Sequence, residues 1–554
     1  MTKLVVIGLD GATLDLIGPW AEKGLLPNLA RLMQTGVFGR LQSVLPVLTS
    51  AAWPSFMTGV NPGKHGLFDF VKRAPGSYKL RPVNRSQMRS ETLWGILSKA
   101  SRRVGVVNVP MTFPPEKVNG VMVTGLYTPD FKPYTYPIEL SEKLNERGYI
   151  VNRKIQFSPG NEAQYLRELH EIAANLTENT IWLMSQQEWD FFMMVFFDPD
   201  QISHFFWHHM DKTHPQHTLN SKYEKAILEY YQAVDKSIGQ ILEQAGGETN
   251  VLVVSDHGSG ALYKNVFLNE WLRQKGWLVL LDQKDSEGNL HELFARVGLT
   301  RANVSSILRK LGLLKLETKI KDILGNRIEI LPKSSHAKFP DVIDWSKTRA
   351  YSFGYNGQIY INLRGREPQG VVEPGEEYEK VCQQLYQQLL EMVDPDDHKP
   401  VVEKIYQRKD AFWGDAVEDG PDLFLVMRGL AYITQSGYEF GNQAGQIVAA
   451  ATQAQTGSHR MEGVWIMAGP DVQKVGYVGN QVVITDLAPT ILHLLNCAVP
   501  EEMDGRVLEE WLKNKAQVVR METETGKQDP SLVEMSPEDE QRMIQRLKEL
   551  GYLE

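Results

Sequence analysis

Cysteine is nearly absent from this chain of 554 residues, which contains only Cys382 and Cys497. The two lie far apart and show neither the spacing of a metal site nor that of a redox pair. They exclude a disulfide framework, and such sparse use of cysteine fits a reducing compartment. We therefore expect a cytoplasmic protein.

Long apolar runs are also missing. The most apolar segment, residues 191–197, has the length of a strand, and no stretch approaches the roughly 18 to 20 apolar residues that cross a membrane. The apolar run at the N-terminus is short, ends at Asp10 and has no small-residue cleavage site, so we do not expect a signal peptide. These features predict a protein without a membrane partner.

No basic stripe runs through the sequence. Lys and Arg number 59 against 68 Asp and Glu, which gives a formal charge of −9. A protein that binds nucleic acid through its backbone phosphates carries clustered positive charge, so we expect no nucleic-acid partner. The oligomeric state leaves no sign in the sequence.

Short, continuous apolar runs alternate with amphipathic stretches along the chain. The expected buried strands cover residues 3–9, 103–109, 120–124, 191–197, 250–254 and 463–468. The expected helices cover residues 28–35, 92–100, 162–186 and 222–244. This alternation predicts an α/β fold, a doubly wound and mostly parallel sheet flanked by helices.

The chain is too long for one compact core. Residues 281–345 carry basic amphipathic stretches and no clear buried strand, which indicates an insertion that caps the sheet edge. We therefore predict a first core part (1–280), an inserted cap or lid region (281–345), a second core part (346–514) and a charged tail with a terminal helix (515–554).

Two candidate functional residues lie in the first fifty positions. Asp10 ends the first strand, where open α/β sheets bind ligands, although an Asp before Gly is also an ordinary turn. Thr49 stands at the expected start of a helix, where free N–H groups and the helix dipole favour anions. Its hydroxyl could attack phosphorus or simply cap the helix, and Ser50 could share either role.

A strand followed by acids and imidazoles occurs twice more. Asp200 and His204 follow the strand at 191–197 and are four residues apart, so one helical turn places both on the same face. His208 and His209 extend this cluster, and we assign them to its surroundings or to the surface. The adjacent Asp256 and His257 end the strand at 250–254, and this is the most specific local motif in the chain.

His459 precedes the last strand, at 463–468, and has no packing role evident from the sequence. The neighbouring Arg460 could contact phosphate or lie on the surface. Seven residues with hard oxygens or imidazoles thus stand near strand ends: Asp10, Thr49, Asp200, His204, Asp256, His257 and His459. Such a set could hold two divalent metal ions about 4 Å apart, which clamp the attacking and leaving oxygens of a phosphoryl transfer. The ligands suit zinc best, with manganese as the other candidate.

These motifs resemble those of the alkaline phosphatase superfamily, and more narrowly its type I phosphodiesterase/nucleotide pyrophosphatase branch with the predicted phosphohydrolase/phosphomutase proteins. The resemblance spans roughly residues 3 to 510 and includes the segments 108–114, 344–351 and 486–491. It implies an alkaline-phosphatase-like fold and a small phosphorylated substrate.

The resemblance also implies a role for each of the seven residues. One metal ion would lie among Asp10, Thr49, Asp256 and His257, with Thr49 as the nucleophile that forms a phospho-threonine. The second would lie among Asp200, His204 and His459, and it would activate the water that hydrolyses this intermediate.

One segment departs from the pattern of the diesterases. They carry an Asn shortly after a Pro-x-x-His-Gly segment, whereas this chain has Asp69 in the stretch Leu-Phe-Asp-Phe. Asp69 would repel an anionic substrate unless it is protonated or turned away, so diester and monoester substrates both stay open. A phosphomutase with the same nucleophile is the alternative activity. A binding module without catalysis is disfavoured, because every metal position holds a competent ligand.

Overall fold

The computed structural model describes residues 2–126, 128–129, 132–281, 342–434, 445–451, 454–479, 482–522 and 536–549. Most of the predicted insertion at 281–345 therefore lies outside the described residues, as does part of the tail.

The strands are short and numerous. In chain order they are β1 (Lys3–Leu9), β2 (Val37–Gln42), β3 (Val71–Arg73), β4 (Leu80–Pro82), β5 (Val104–Val109), β6 (Gly120–Thr124), β7 (Thr135–Tyr136), β8 (Phe191–Phe196), β9 (Thr249–Val254), β10 (Gly258–Ala261), β11 (Lys264–Val266), β12 (Ala350–Ser352), β13 (Gln358–Ile361), β14 (Val402–Gln407), β15 (Leu423–Met427), β16 (Tyr432–Ile433), β17 (Val448–Ala450), β18 (Gly457–Arg460), β19 (Glu462–Ala468), β20 (Gly476–Tyr477), β21 (Val482–Val483), β22 (Val499–Pro500) and β23 (Arg520–Met521).

Helices connect most of the long strands. They are α1 (Leu14–Glu22), α2 (Pro27–Thr35), α3 (Thr49–Thr58), α4 (Pro62–His65), α5 (Leu93–Lys99), α6 (Leu140–Glu146), α7 (Glu162–Gln186), α8 (Asp198–Met210), α9 (Ala226–Ala245), α10 (Leu268–Gln274), α11 (Glu376–Leu390), α12 (Arg408–Ala411), α13 (Leu487–Leu494) and α14 (Pro537–Glu549). None of the described helices is both long and apolar enough to cross a membrane.

A ten-stranded sheet forms the centre of the molecule. Its strand order is β20-β2-β19-β9-β1-β8-β5-β6-β7, with β21 also paired to β2. The five strands β9, β1, β8, β5 and β6 are parallel to one another, as the apolar runs predict. Hydrophobic clusters cover both faces, one with α3, α5 and α13 and the other with α1, α2, α7 and α9. The predicted doubly wound α/β fold is confirmed.

An antiparallel pair extends this sheet beyond β9. Strand β19 runs antiparallel to both β9 and β2. The sequence did not predict β2, because its residues alternate between buried and half-buried positions and form no continuous apolar run. One edge of the sheet therefore collects the ends of β2, β9, β1 and β8 and the start of β19.

A second, smaller sheet has the order β12-β13-β15-β14 and packs with α10 and α11 around its own hydrophobic cluster. This smaller unit also draws in Trp271 and Leu272, which lie within the predicted first core part. Within this unit, the Leu281 N–H donates to the Val342 carbonyl at 2.9 Å. The proposed domain boundaries stay a prediction.

Candidate active site

The structure brings all seven predicted residues to the same edge of the large sheet. Asp10 follows β1, Asp200 lies in the first turn of α8 after β8, and Asp256 and His257 follow β9. Because these three strands are parallel, their carboxyl ends meet at one edge, where α/β sheets form their ligand sites.

Two of the seven residues come from the antiparallel extension. His459 lies in β18, directly before β19, and the start of an antiparallel strand lies beside the ends of its parallel neighbours. Thr49 is the first residue of α3, the helix that follows β2. Residues about 450 positions apart in the sequence thus meet for a simple topological reason.

The six acids and imidazoles form two clusters. Asp10, Asp256 and His257 make the first cluster, and Asp200, His204 and His459 the second; within each, one ligand atom per residue lies within 4.8 Å of the others. All six side chains are buried. The stacked rings of His257 and His459, with centroids 3.8 Å apart, join the two clusters.

Thr49 faces the first cluster. Its Oγ1 lies 3.4 Å from Asp10 Oδ1 and 3.3 Å from His257 Nε2. Ser50 Oγ is also buried, yet it has no hydrogen-bond partner among the described residues. Of the two hydroxyls at the start of α3, the structure therefore places that of Thr49 against the candidate ligands.

Backbone carbonyls fix the tautomers of the three histidines. The Nδ1 atoms of His204, His257 and His459 lie 2.9, 3.1 and 2.8 Å from the carbonyl oxygens of Gly457, Gly258 and Val47. A carbonyl oxygen can only accept, so each Nδ1 carries a proton, and in the neutral form of each ring the lone pair lies on Nε2. This is the usual arrangement for a metal-binding histidine.

The Nε2 atoms point at one another and at carboxylates. His204 Nε2 lies 3.2 Å from His459 Nε2 and 3.1 Å from Asp200 Oδ2. Two lone pairs at such a distance repel unless a proton or a cation lies beside them. In the first cluster, Asp256 Oδ2 is buried and accepts no hydrogen bond from the described residues. The chemistry of both donor sets therefore fits a divalent metal ion.

The pKa values of the three carboxyl groups reflect the concentration of negative charge in a buried site. Burial, and then repulsion from Asp256 and Asp200, raises the pKa of Asp10 well above its ordinary value. Burial likewise raises the pKa of Asp256. Burial opposes ionisation of Asp200 too, but the neighbouring imidazoles, first that of His204, hold its pKa below the usual range. A bound cation would stabilise all three carboxylates.

The sequence matches a known protein family over most of its length. The family model for type I phosphodiesterase/nucleotide pyrophosphatase matches residues 4–473. The chain belongs to this family. This chain is therefore a phosphoric ester hydrolase. The predicted resemblance to the type I phosphodiesterase/nucleotide pyrophosphatase branch is confirmed.

Solved structures share the fold. The phosphonoacetate hydrolase of Sinorhizobium meliloti 1021, crystallised with phosphonoformate, aligns with a TM-score of 0.51 at 12% identity and covers 90% of this chain and 95% of its own. Murine ectonucleotide pyrophosphatase/phosphodiesterase 5 aligns at 0.48 and 11% identity, covering 92% of this chain and 100% of its own. At such low identity, the similarity to the phosphonoacetate hydrolase supports only the alkaline-phosphatase-like fold. No curated protein sequence matches this chain.

The surroundings of the site give one correction, one agreement with the prediction and one addition. Arg460 does not lie free on the surface; its guanidinium donates to the backbone carbonyls of Leu430, Ala261 and His459. His208 Nδ1 lies 3.0 Å from Thr456 Oγ1, outside both clusters, as expected. Trp53 was missed: its Nε1 donates to Asp10 Oδ2 at 2.8 Å from one turn after Thr49.

Both carboxyl oxygens of Asp69 accept hydrogen bonds from within the protein. Its Oδ1 accepts the Phe70 N–H at 2.7 Å, and its Oδ2 accepts the Tyr355 N–H at 3.3 Å and Gln358 Nε2 at 2.8 Å. Burial raises the pKa of Asp69 to about 6, and these donors limit the rise. Donors from the protein therefore engage both oxygens of this buried carboxyl group.

Proposed function

We propose that this protein is a two-metal-dependent phosphohydrolase of the phosphodiesterase type that acts on a small phosphorylated substrate through a phospho-threonine at Thr49. The position of Thr49 Oγ1, within 3.4 Å of ligand atoms from both Asp10 and His257, carries the proposal. No other described hydroxyl at the start of α3 contacts a cluster.

The acids and imidazoles of the two clusters would bind the metal ions. Asp10, Asp256 and His257 would hold one metal ion, and Asp200, His204 and His459 the other. When bound, such a pair lowers the pKa of a hydroxyl and of water and neutralises phosphoryl charge. Zinc suits three imidazoles and three carboxylates best, and manganese is the alternative.

The helix start favours the same reaction. Thr49 and Ser50 are the first residues of α3, whose leading N–H groups have no acceptor within the helix. These donors and the helix dipole would bind phosphoryl oxygens while Thr49 Oγ1 attacks phosphorus. The bond to the leaving oxygen breaks, and water that attacks phosphorus from the vacated side would then cleave the bond to Thr49 Oγ1. A diester substrate would yield a phosphomonoester, and a monoester would yield phosphate.

The first experiment compares bis-p-nitrophenyl phosphate with p-nitrophenyl phosphate, with added zinc or manganese and an EDTA control. An EDTA-sensitive preference for the diester would support a phosphodiesterase despite Asp69, and a monoester preference would indicate a phosphatase. With two metals bound and neither ester cleaved, the phosphomutase or a narrowly specific hydrolase becomes the better proposal.

The nucleophile has its own test. Replacing Thr49 with Ala should abolish turnover and leave the metal content near that of the wild type, because the carboxylates and imidazoles remain. Thr49→Ser retains a hydroxyl and should keep measurable activity. Turnover that persists in Thr49→Ala would remove Thr49 from the mechanism.

We also propose that the protein is cytoplasmic and has no nucleic-acid partner. These proposals are supported by the unpaired state of Cys382 and Cys497 and by the net negative charge of the chain.

A further inference from the structure

The tip of the β12–β13 hairpin, residues 353–357, reaches from the smaller unit to the segment that precedes the nucleophile. Asn356 in this tip is 2% exposed and has a φ of 61°. A left-handed backbone is uncommon outside glycine, and Asn is one of the few residues that tolerate it. The tip is therefore built around a buried amide in an unusual conformation.

The Asn356 amide shares its acceptor with a candidate metal ligand. Asn356 Nδ2 donates to the Val47 carbonyl at 3.1 Å, and His459 Nδ1 donates to the same oxygen at 2.8 Å. A carbonyl oxygen has two lone pairs and can accept both bonds. Val47 lies two residues before Thr49, so this one carbonyl is connected to the nucleophile segment, to His459 and to the hairpin.

The hairpin tip is held firmly on two sides. Asp69 Oδ2 accepts from the Tyr355 N–H and from Gln358 Nε2. Thr434 Oγ1 accepts the Gly357 N–H at 2.8 Å and donates to the Gly354 carbonyl at 3.0 Å. Asp69, in the stretch after the Pro-x-x-His-Gly segment, therefore serves here as an anchor for the hairpin.

We propose that Asn356 is a positioning residue of the active site, which aims His459 Nε2 at the second cluster and holds the segment leading to Thr49 through the Val47 carbonyl. The proposal rests on the proposed function. Without the amide, the Val47 carbonyl keeps one donor and the peptide can rotate, which turns the His459 ring with it. Loss of such an outer partner typically weakens metal binding or activity about 10- to 100-fold.

The test measures zinc affinity by competition with a chromophoric chelator, alongside turnover and the melting temperature of the metal-free protein. Asn356→Gly keeps the left-handed backbone and removes the donor, and Asn356→Asp keeps the size but has no N–H. Each variant should bind one of two zinc ions about 10- to 100-fold more weakly and lose turnover that excess zinc partly restores. Asn496→Gly is the matched control, since Asn496 is exposed and has a φ of 55°.

A purely structural role would lower the melting temperature of both Asn356 variants and leave both zinc affinities unchanged, and that result overturns the proposal. If the Asn356 variants fold poorly, a double-mutant cycle that combines Asn356→Gly with His459→Ala tests the proposal. Because Asn356 is proposed to reach the metal ligands only by way of His459, adding Asn356→Gly to His459→Ala should not change the affinity of the remaining zinc further. An additional loss of affinity would contradict the proposal. If the wild type binds two zinc ions but cleaves no ester, the proposed function fails while the zinc affinities still decide the role of Asn356.

Discussion

At the scale of residues, hydrogen bonds to single atoms orient the candidate metal ligands. The Val47, Gly258 and Gly457 carbonyls determine which nitrogen of each histidine is free, and Trp53 orients Asp10. Motifs in the sequence name the ligands, but these outer partners decide where the ligand atoms point. At this scale, removing a ligand should have a different result from removing a nearby histidine that belongs to neither cluster.

Metal content should separate ligands from bystanders. His459→Ala removes one of three donors from the second cluster, so we expect about one metal ion per chain instead of two, with loss of turnover. His208→Ala is the control, because His208 bonds to Thr456 and belongs to neither cluster. Elemental analysis after dialysis measures the ratio; equal content in the two variants would remove His459 from the ligand set.

Gly8 lies behind the Trp53–Asp10 contact. A Cβ at Gly8 would lie 2.6 Å from Val195 Cγ2 and 2.7 Å from Trp53 Cη2. Gly8→Ala should therefore cost about 1–3 kcal/mol of unfolding free energy and reduce turnover, since overpacking displaces Trp53. The control is Gly18→Ala in α1, where the nearest atom is 3.9 Å away; it should be neutral or stabilising by up to about 1 kcal/mol. Denaturant midpoints and turnover test both variants, and a wild-type midpoint for Gly8→Ala would contradict the expectation.

At the scale of elements, short connections hold α3 in place. His65, the last residue of α4, is fully buried and its Nδ1 accepts the Leu67 N–H at 3.2 Å. Its Nε2 therefore carries the proton and donates to Ser55 Oγ in α3 at 2.9 Å. A neutral imidazole thus connects the helix that carries Thr49 to the next one.

This histidine should make the fold sensitive to acid. Burial lowers the pKa of His65 to about 3 in the folded chain, whereas an unfolded histidine titrates near 6.5. Between these values the unfolded state binds the extra proton, so stability is lost as the pH falls below about 6.5, at up to about 1.4 kcal/mol per pH unit. His65→Gln should flatten the dependence of the melting temperature on pH between 7 and 5. His398→Gln, at an exposed position, should keep the wild-type slope, and an unchanged slope in His65→Gln would refute the assignment.

At the scale of the whole molecule, the site stores repulsion between buried carboxylates. Asp10, Asp200 and Asp256 come from three strand connections and meet only in the folded chain. A cation that binds the folded state alone stabilises it, by about 4 kcal/mol at 1,000 times its dissociation constant. The metal ions should therefore support the fold as well as the reaction.

Chelation should lower the melting temperature, and more so at higher pH. The raised pKa values of Asp10 and Asp256 mean that the metal-free protein loses stability as the pH rises through them, whereas bound metal removes that loss. We expect the EDTA-induced shift to be larger at pH 8 than at pH 5, measured by thermal denaturation and reversed by zinc. The double variant His204→Ala/His459→Ala should show a smaller shift. Equal shifts at both pH values would argue against metal bound by these carboxylates.

Local patterns were enough for much of the architecture. The apolar runs of β1 and β6 and the amphipathic pattern of α7 gave these elements their observed bounds, because burial on one or both sides is visible in consecutive residues. The candidate ligands could be named for a similar reason: an acid or imidazole directly after a buried strand stands at the edge where such sheets bind ligands.

Only the tertiary structure decided how these residues combine. Strand β2 has no apolar run, and the antiparallel direction of β19, which brings His459 beside His257, depends on pairing between distant segments. The same holds for the contact of Asn356 with Val47, 309 residues earlier, and for the turning of Asp69 toward the hairpin. The sequence by itself determined the elements and the chemical types at their ends, since both depend on neighbouring residues. The grouping into two clusters was implied by the family resemblance and not by the local patterns, and the structure shows it. The direction of each ligand atom required the folded chain, because it arises from contacts across hundreds of residues.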